Sequence, residues 1–124
     1  MLELRIGLQI GPVQDGRIAP IGTMIFDEID TGVSGSAAEK IAKSLKKVSK
    51  NRQVICVTHS AQVASYADRH FLITKEVKEE KTYTRVDPLD RQGRINEVAR
   101  IIGGVNVTEL QIKSAEEMID SASV

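Results

Sequence analysis

Two acidic residues stand side by side at the end of a short apolar run: Met24-Ile25-Phe26 leads directly into Asp27-Glu28. Set off by Pro20 and Gly22, the run from Thr23 to Phe26 reads as a buried strand of a parallel sheet. Such a strand delivers its C-terminal residues into the crevice where open α/β sheets bind ligands. Neighbouring strand residues face opposite ways, so the two carboxylates are suited to different work. One can hold Mg²⁺, which takes a carboxylate or two plus water and phosphate oxygens. The other can orient an attacking water and accept its proton. The same residues also suit a plain strand that ends in a solvated acidic turn.

A histidine adds to this pattern. His59 lies 32 residues beyond Asp27 and follows a second β-prone run, Gln53-Val54-Ile55-Cys56-Val57-Thr58. Both strand ends are expected at the same edge of the sheet, where an imidazole can donate to a phosphate oxygen. A lone histidine there reads as a capping or surface group; beside Asp27 and Glu28 the ligand-facing role is favoured. His70 lacks such company and reads as structural. Directly after the acidic pair comes Asp30-Thr31-Gly32-Val33-Ser34-Gly35, whose glycines permit positive φ and close approach of another backbone. That stretch is equally compatible with a flexible strand-to-helix turn.

These groups need a frame, and the chain supplies one in α/β order. A helix is expected from about 36 to 50, with Ser36 and Glu39 as a capping box and Ile41, Leu45 and Val48 as its apolar stripe. Strands are expected at about 23–27, 53–58 and 70–75, mostly parallel and flanked by helices, with a short helix over about 60–66. Residues 75–81 read as a solvated turn before an edge strand over 82–86. A helical pair closes the chain, about 90–102 and 108–121, the second capped by Thr108. Ile101, Ile102, Leu110, Ile112 and Met118 read as its core positions. Cys56, mid-strand, reads as a buried, inert thiol. Residues 1–22 are the least regular part: Leu4 and Leu8, with Ile6, hint at a short apolar helix that Gly7, Gly11 and Pro12 break. Buried parallel strands need covering on both faces, so the chain reads as a piece of a larger sheet.

Taken together, the motifs resemble a known family. TMIFDEIDTGVSG resembles the Walker B strand and D-loop of ABC-type ATPase heads, in the form found in the SMC-like RecN family of bacterial DNA repair proteins. VTHSAQVASYADRHFLITK resembles that family's switch-histidine segment, with Ser60-Ala61 standing where Leu-Pro is expected. TRVDPLDRQGRINEVARIIGG and VTELQIKSAEEMI resemble its C-terminal end. The resemblance covers about residues 17–120. It implies a partial ABC-ATPase head lobe over 23–124, in which Asp27 binds Mg²⁺, Glu28 polarises the attacking water and His59 contacts the γ-phosphate of ATP. Asp30, Thr31, Gly32 and Ser34 would form a D-loop that crosses to a second head of a homodimer, and ATP turnover would be linked to DNA at broken ends.

Other family motifs have no counterpart. No G-x-x-x-x-G-K-[ST] and no LSGG occur in the sequence, and Gly32-Val33-Ser34-Gly35 has neither the spacing nor the lysine of a phosphate loop. Glu3-Leu4-Arg5-Ile6 resembles a worn version of the helix after the signature, so residues 1–22 are expected to be its remnant in a truncated coding sequence. The missing N-terminal lobe with Walker A is then a required partner, and the chain alone is expected to bind ATP weakly and hydrolyse it barely.

Composition narrows the alternatives. Seventeen basic and seventeen acidic residues cancel, so no global field draws the chain to nucleic acid or membrane. One Cys and two His make a disulfide framework or structural zinc site a poor fit. No apolar run reaches the roughly 18 residues of a membrane span, and no signal-peptide pattern opens the chain, so a cytoplasmic protein is expected, and the family resemblance implies nucleoid association when it is bound to DNA. Two other readings use the same residues. Asp27, Glu28 and Asp30 could form the carboxylate cluster of a Mg²⁺-dependent phosphodiesterase. The six basic residues from Lys40 to Arg52 could make a non-catalytic DNA-binding or assembly face, or simply a solvated helix surface.

Overall fold

The computed structural model describes residues 3–9 as backbone and 22–122 in full. The chain is an α/β fold around a five-stranded sheet of order β2-β3-β1-β4-β5. The strands are β1 (Glu3–Gln9), β2 (Thr23–Asp27), β3 (Gln53–Val57), β4 (Arg69–Lys78) and β5 (Lys81–Pro88). Between them lie α1 (Gly35–Val48) and α2 (Ala61–Ser65), and after them α3 (Arg91–Gly103) and α4 (Glu109–Ala122).

β2 and β3 pair in parallel through the α1 crossover, with Asp27 opposite Val57, so the two strand ends do share one edge. β4 points the same way as β3 but is not its neighbour. β1 lies between them, antiparallel to both, with Gly7 opposite Cys56 on one side and His70 on the other. Among the described residues three strands therefore keep the common direction expected, while one of the four pairings is parallel.

Residues 3–9 are a strand, where a short apolar helix was expected. Leu4, Ile6 and Leu8 satisfy a strict two-residue alternation as well as the i, i+4 spacing, and Gly7 penalises the helix. A vacant ladder position on two strands at once decides in favour of extension. The rest of the segment expected to be irregular lies outside the described residues, apart from Gly22, whose carbonyl accepts from Gln53 N–H at 2.9 Å.

Two apolar clusters hold the helices. Ala42, Cys56 and Val63, with Phe26, Leu45 and Tyr66, pack α1 and α2 onto one face of the sheet. Ala61, Ala64, Ile95, Val98, Ala99, Ala115 and Ile119 join α2 to the α3–α4 pair, with Ile101, Ile112 and Met118 against them. Leu110 and Ile102 depart from the expected core: they are 74% and 41% exposed, at the turn between α3 and α4. Arg94 ties α3 to the end of α2, donating from Nη2 to the carbonyls of Ala67 at 2.7 Å and Ser65 at 3.4 Å. On the pleat opposite Phe26, Ile25 of the edge strand β2 is 71% exposed.

Local signals were realised with shifts. Ser34, not Ser36, is the N-cap of α1, and no side-chain capping bond forms there. The reciprocal capping box occurs instead at α4: Gln111 N–H donates to Thr108 Oγ1 at 3.3 Å and Thr108 N–H to Gln111 Oε1 at 2.8 Å. The expected turn over 75–81 is mostly strand. β4 continues to Lys78, and Glu79-Glu80 alone make the hairpin, both at positive φ. Their charge read as a loop, but an exposed antiparallel ladder accepts charged residues along its solvent face.

Candidate active site at the paired strand ends

Asp27 closes β2, and the chain then reverses through Glu28, which sits at φ 49°, a left-handed backbone unusual for a non-glycine residue. Its N–H donates to Val57 O at 2.8 Å, extending the parallel ladder by one bond beyond the strand. Its carbonyl accepts from Thr31 Oγ1 at 2.9 Å and from Thr31 N–H at 3.3 Å, closing the turn. Gly32 follows at φ 75°, which only glycine adopts without strain, and Val33 N–H donates to Asp30 O at 3.1 Å. The segment over 28–33 is thus a hydrogen-bonded double turn that delivers the chain to Ser34 and α1.

From the neighbouring strand end, His59 Nε2 reaches Glu28 Oε1 at 2.9 Å, with both side chains roughly half exposed. One residue earlier, Thr58 is completely buried; its hydroxyl donates to Asp30 Oδ2 and accepts from Ser60 N–H at 3.0 Å. Ser60 caps α2, accepting from Val63 N–H. A cleft of about 550 Å³ opens over these groups, lined by Glu28, Asp30, Thr31, Gly32, Val33, His59 and Ser60 on one side. Gln62 and the α3 residues Ile101 and Ile102 complete its wall.

Five of the seven residues singled out from the sequence, Glu28, Asp30, Thr31, Gly32 and His59, therefore meet at one cleft. Asp27 and Ser34 are not part of its lining; Asp27 is exposed on the other pleat of β2. Asp30 is only 8% exposed and turned onto Thr58. Among the described residues no three of His, Cys, Asp and Glu are grouped to hold a metal, so Asp27, Glu28 and Asp30 do not converge as a two-metal phosphodiesterase cluster requires. The basic stretch is also partly committed: Lys46 bonds to Asp68 at 2.6 Å and Tyr66 O at 3.2 Å, and Lys43 lies 3.5 Å from Glu39. Ile101 and Ile102 were not readable as site residues, since α3 reaches the cleft from far along the chain; Thr58 does not line the cleft but is bonded to Asp30, 28 residues away.

Curated relatives carry the same segment. The chain is 48% identical to the DNA repair protein RecN of Bacillus subtilis over 102 residues, 82% of this chain. It is 40% identical to the protein of that name from Haemophilus influenzae over 116 residues, 94% of this chain. The chain belongs to the RecN family. A third RecN, from Halalkalibacterium halodurans, is 41% identical over 103 residues, 83% of this chain. The matches take up 18%, 21% and 18% of those proteins, so the chain spans about a fifth of the length of the RecN relatives it matches. No family-wide sequence profile matches it. No helix of this RecN segment is long and apolar enough to cross a membrane, among the described residues.

Cys56 is buried in β3, packed with Ala42 and Val63. Burial first, and then the negative charges of Asp30 and Asp27, push its thiol up to about 11. It therefore stays protonated and unreactive at neutral pH, as its mid-strand position suggested.

Proposed function

We propose that this chain forms the Walker B, D-loop and switch-histidine part of a RecN-type ATPase head, acting in repair of DNA double-strand breaks. The observation that carries the reading is the meeting of Glu28 and His59 at 2.9 Å over a cleft rimmed by the glycine-containing loop. Asp27, an exposed carboxylate at the strand end, is an oxygen donor of the kind Mg²⁺ takes together with water and phosphate oxygens. Asp27 would hold the ion, and the bound ion would neutralise charge on the phosphate oxygens. Glu28 orients the attacking water and takes its proton. His59 donates to the γ-phosphate, and its contact with Glu28 keeps the base beside the group being transferred. Asp30, Thr31, Gly32 and Ser34 present the loop to a second head.

The chain carries no phosphate loop, so positioning of the triphosphate falls to an N-terminal lobe with Walker A. Among the described residues β2 is an edge strand, and with the exposed Ile25 it suits attachment to further structure of that kind. The test is reconstitution. Joined to the Walker A lobe of a RecN relative, the chain should hydrolyse ATP, and Glu28→Gln should reduce turnover at least a hundredfold while nucleotide binding persists. Normal turnover in that variant, or micromolar Mg·ATP binding by the chain alone, overturns the assignment.

A further inference from the structure

We propose that Thr58 is a positioning residue that couples the Asp30–Gly32 loop to His59. The two residues flanking His59, Thr58 and Ser60, belong to one relay: Ser60 N–H donates to Thr58 Oγ1, and Thr58 Oγ1 donates to Asp30 Oδ2. A hydroxyl has a single proton. With the Ser60 amide occupying a lone pair, that proton is directed to the Asp30 carboxylate, and each bond polarises the next. Thr58, at the centre of the relay, is 0% exposed, so its hydroxyl finds no water as a substitute partner.

Asp30 carries both halves of the connection. Its side chain accepts from the Thr58 hydroxyl, which in turn holds the Ser60 amide that follows His59, while its carbonyl accepts from Val33 N–H and shapes the loop around Gly32. A displacement of the loop, as when another backbone approaches it, therefore pulls through the Thr58 side chain on the Ser60 amide that follows His59. A partner arriving at the loop would reset the imidazole through Thr58 without touching it. This role rests on the functional reading of the loop and His59 given above, but its test uses no nucleotide, so the two can fail separately.

The experiment follows ¹⁵N-labelled full chain by NMR and perturbs the loop with Gly32→Ala, which forces a side chain into positive φ. The readout is the shift this change produces at the His59 and Ser60 amides in different backgrounds. Thr58→Ser should transmit it in full; Thr58→Val should cut it by at least half. A role in stability alone would lower the melting temperature of Thr58→Val and leave the transmitted shift intact, and that result overturns the proposal. If Thr58→Val does not fold, the relay is opened from its other end. Asp30→Ala should lose the shift and Asp30→Asn, whose amide oxygen still accepts from Thr58, should keep it. Equal transmission in Asp30→Ala and Asp30→Asn refutes the coupling.

Discussion

His59 Nε2 and Glu28 Oε1 are 2.9 Å apart although 31 positions separate the two residues, because β2 and β3 end together on the same sheet edge. Both side chains are roughly half exposed, so water competes for the contact and its contribution to folding is small. His59→Ala should change the unfolding free energy by less than about 1 kcal/mol. Urea denaturation checks this; a loss of several kcal/mol would mean that the pair is a structural element and not a poised one.

Backbone strain at Glu28 makes an unusual ordering of variants. Both Glu28→Ala and Glu28→Gly remove the carboxylate, yet only glycine is at ease at φ 49°. Glu28→Gly should be the more stable of the two by about 1 kcal/mol, the reverse of the usual preference for alanine. Their denaturation midpoints give the comparison directly, and an alanine variant of higher stability would contradict the strain.

The β4–β5 hairpin offers a stabilising change. Lys78 pairs with Lys81, leaving Glu79 and Glu80 as a two-residue turn with φ of 50° and 62°. That geometry is the one Asn-Gly prefers. Replacing Glu79-Glu80 with Asn-Gly should raise stability by about 1 kcal/mol, by relieving two left-handed glutamates and separating like charges. A thermal melt reads this as an increase of several degrees.

Cys56 predicts a pH dependence with a definite sign. Its thiol is raised from 9.0 to about 11 in the folded chain, chiefly by burial. The contribution is fully present below pH 9, where both states are protonated. Between pH 9 and 11 the unfolded chain ionises and the folded one does not, so stability falls as pH rises. At pH 8 alkylation should be about a hundredfold slower than for a free thiol, given the two-unit shift. Rates followed by mass spectrometry in native buffer and in denaturant test this, and equal rates would place the thiol in contact with water.

Much of the site was legible in the sequence because its signals are local. An apolar run that stops at Asp27-Glu28, another that stops before His59, and a glycine-bearing loop between them can each be read within about ten residues. Strand ends deliver side chains to ligand crevices wherever the strand sits, so the placement of Glu28 and His59 followed from the two runs alone. The α4 cap at Thr108 was legible for the same reason.

What tertiary structure decided depends on partners far along the chain. Leu4, Ile6 and Leu8 fit two periodicities, and only the paired edges of β3 and β4 made them a strand. Ile102 and Leu110 look like core by type, but the α3–α4 turn leaves them exposed, and Ile102 becomes a wall of the cleft. Thr58 and Asp30 are 28 residues apart, and nothing in either neighbourhood announces their bond. Periodicity reports which face a residue turns within its own element. Which element lies against that face is settled by the packing of the whole chain, where burial and pairing of distant segments outweigh local preference.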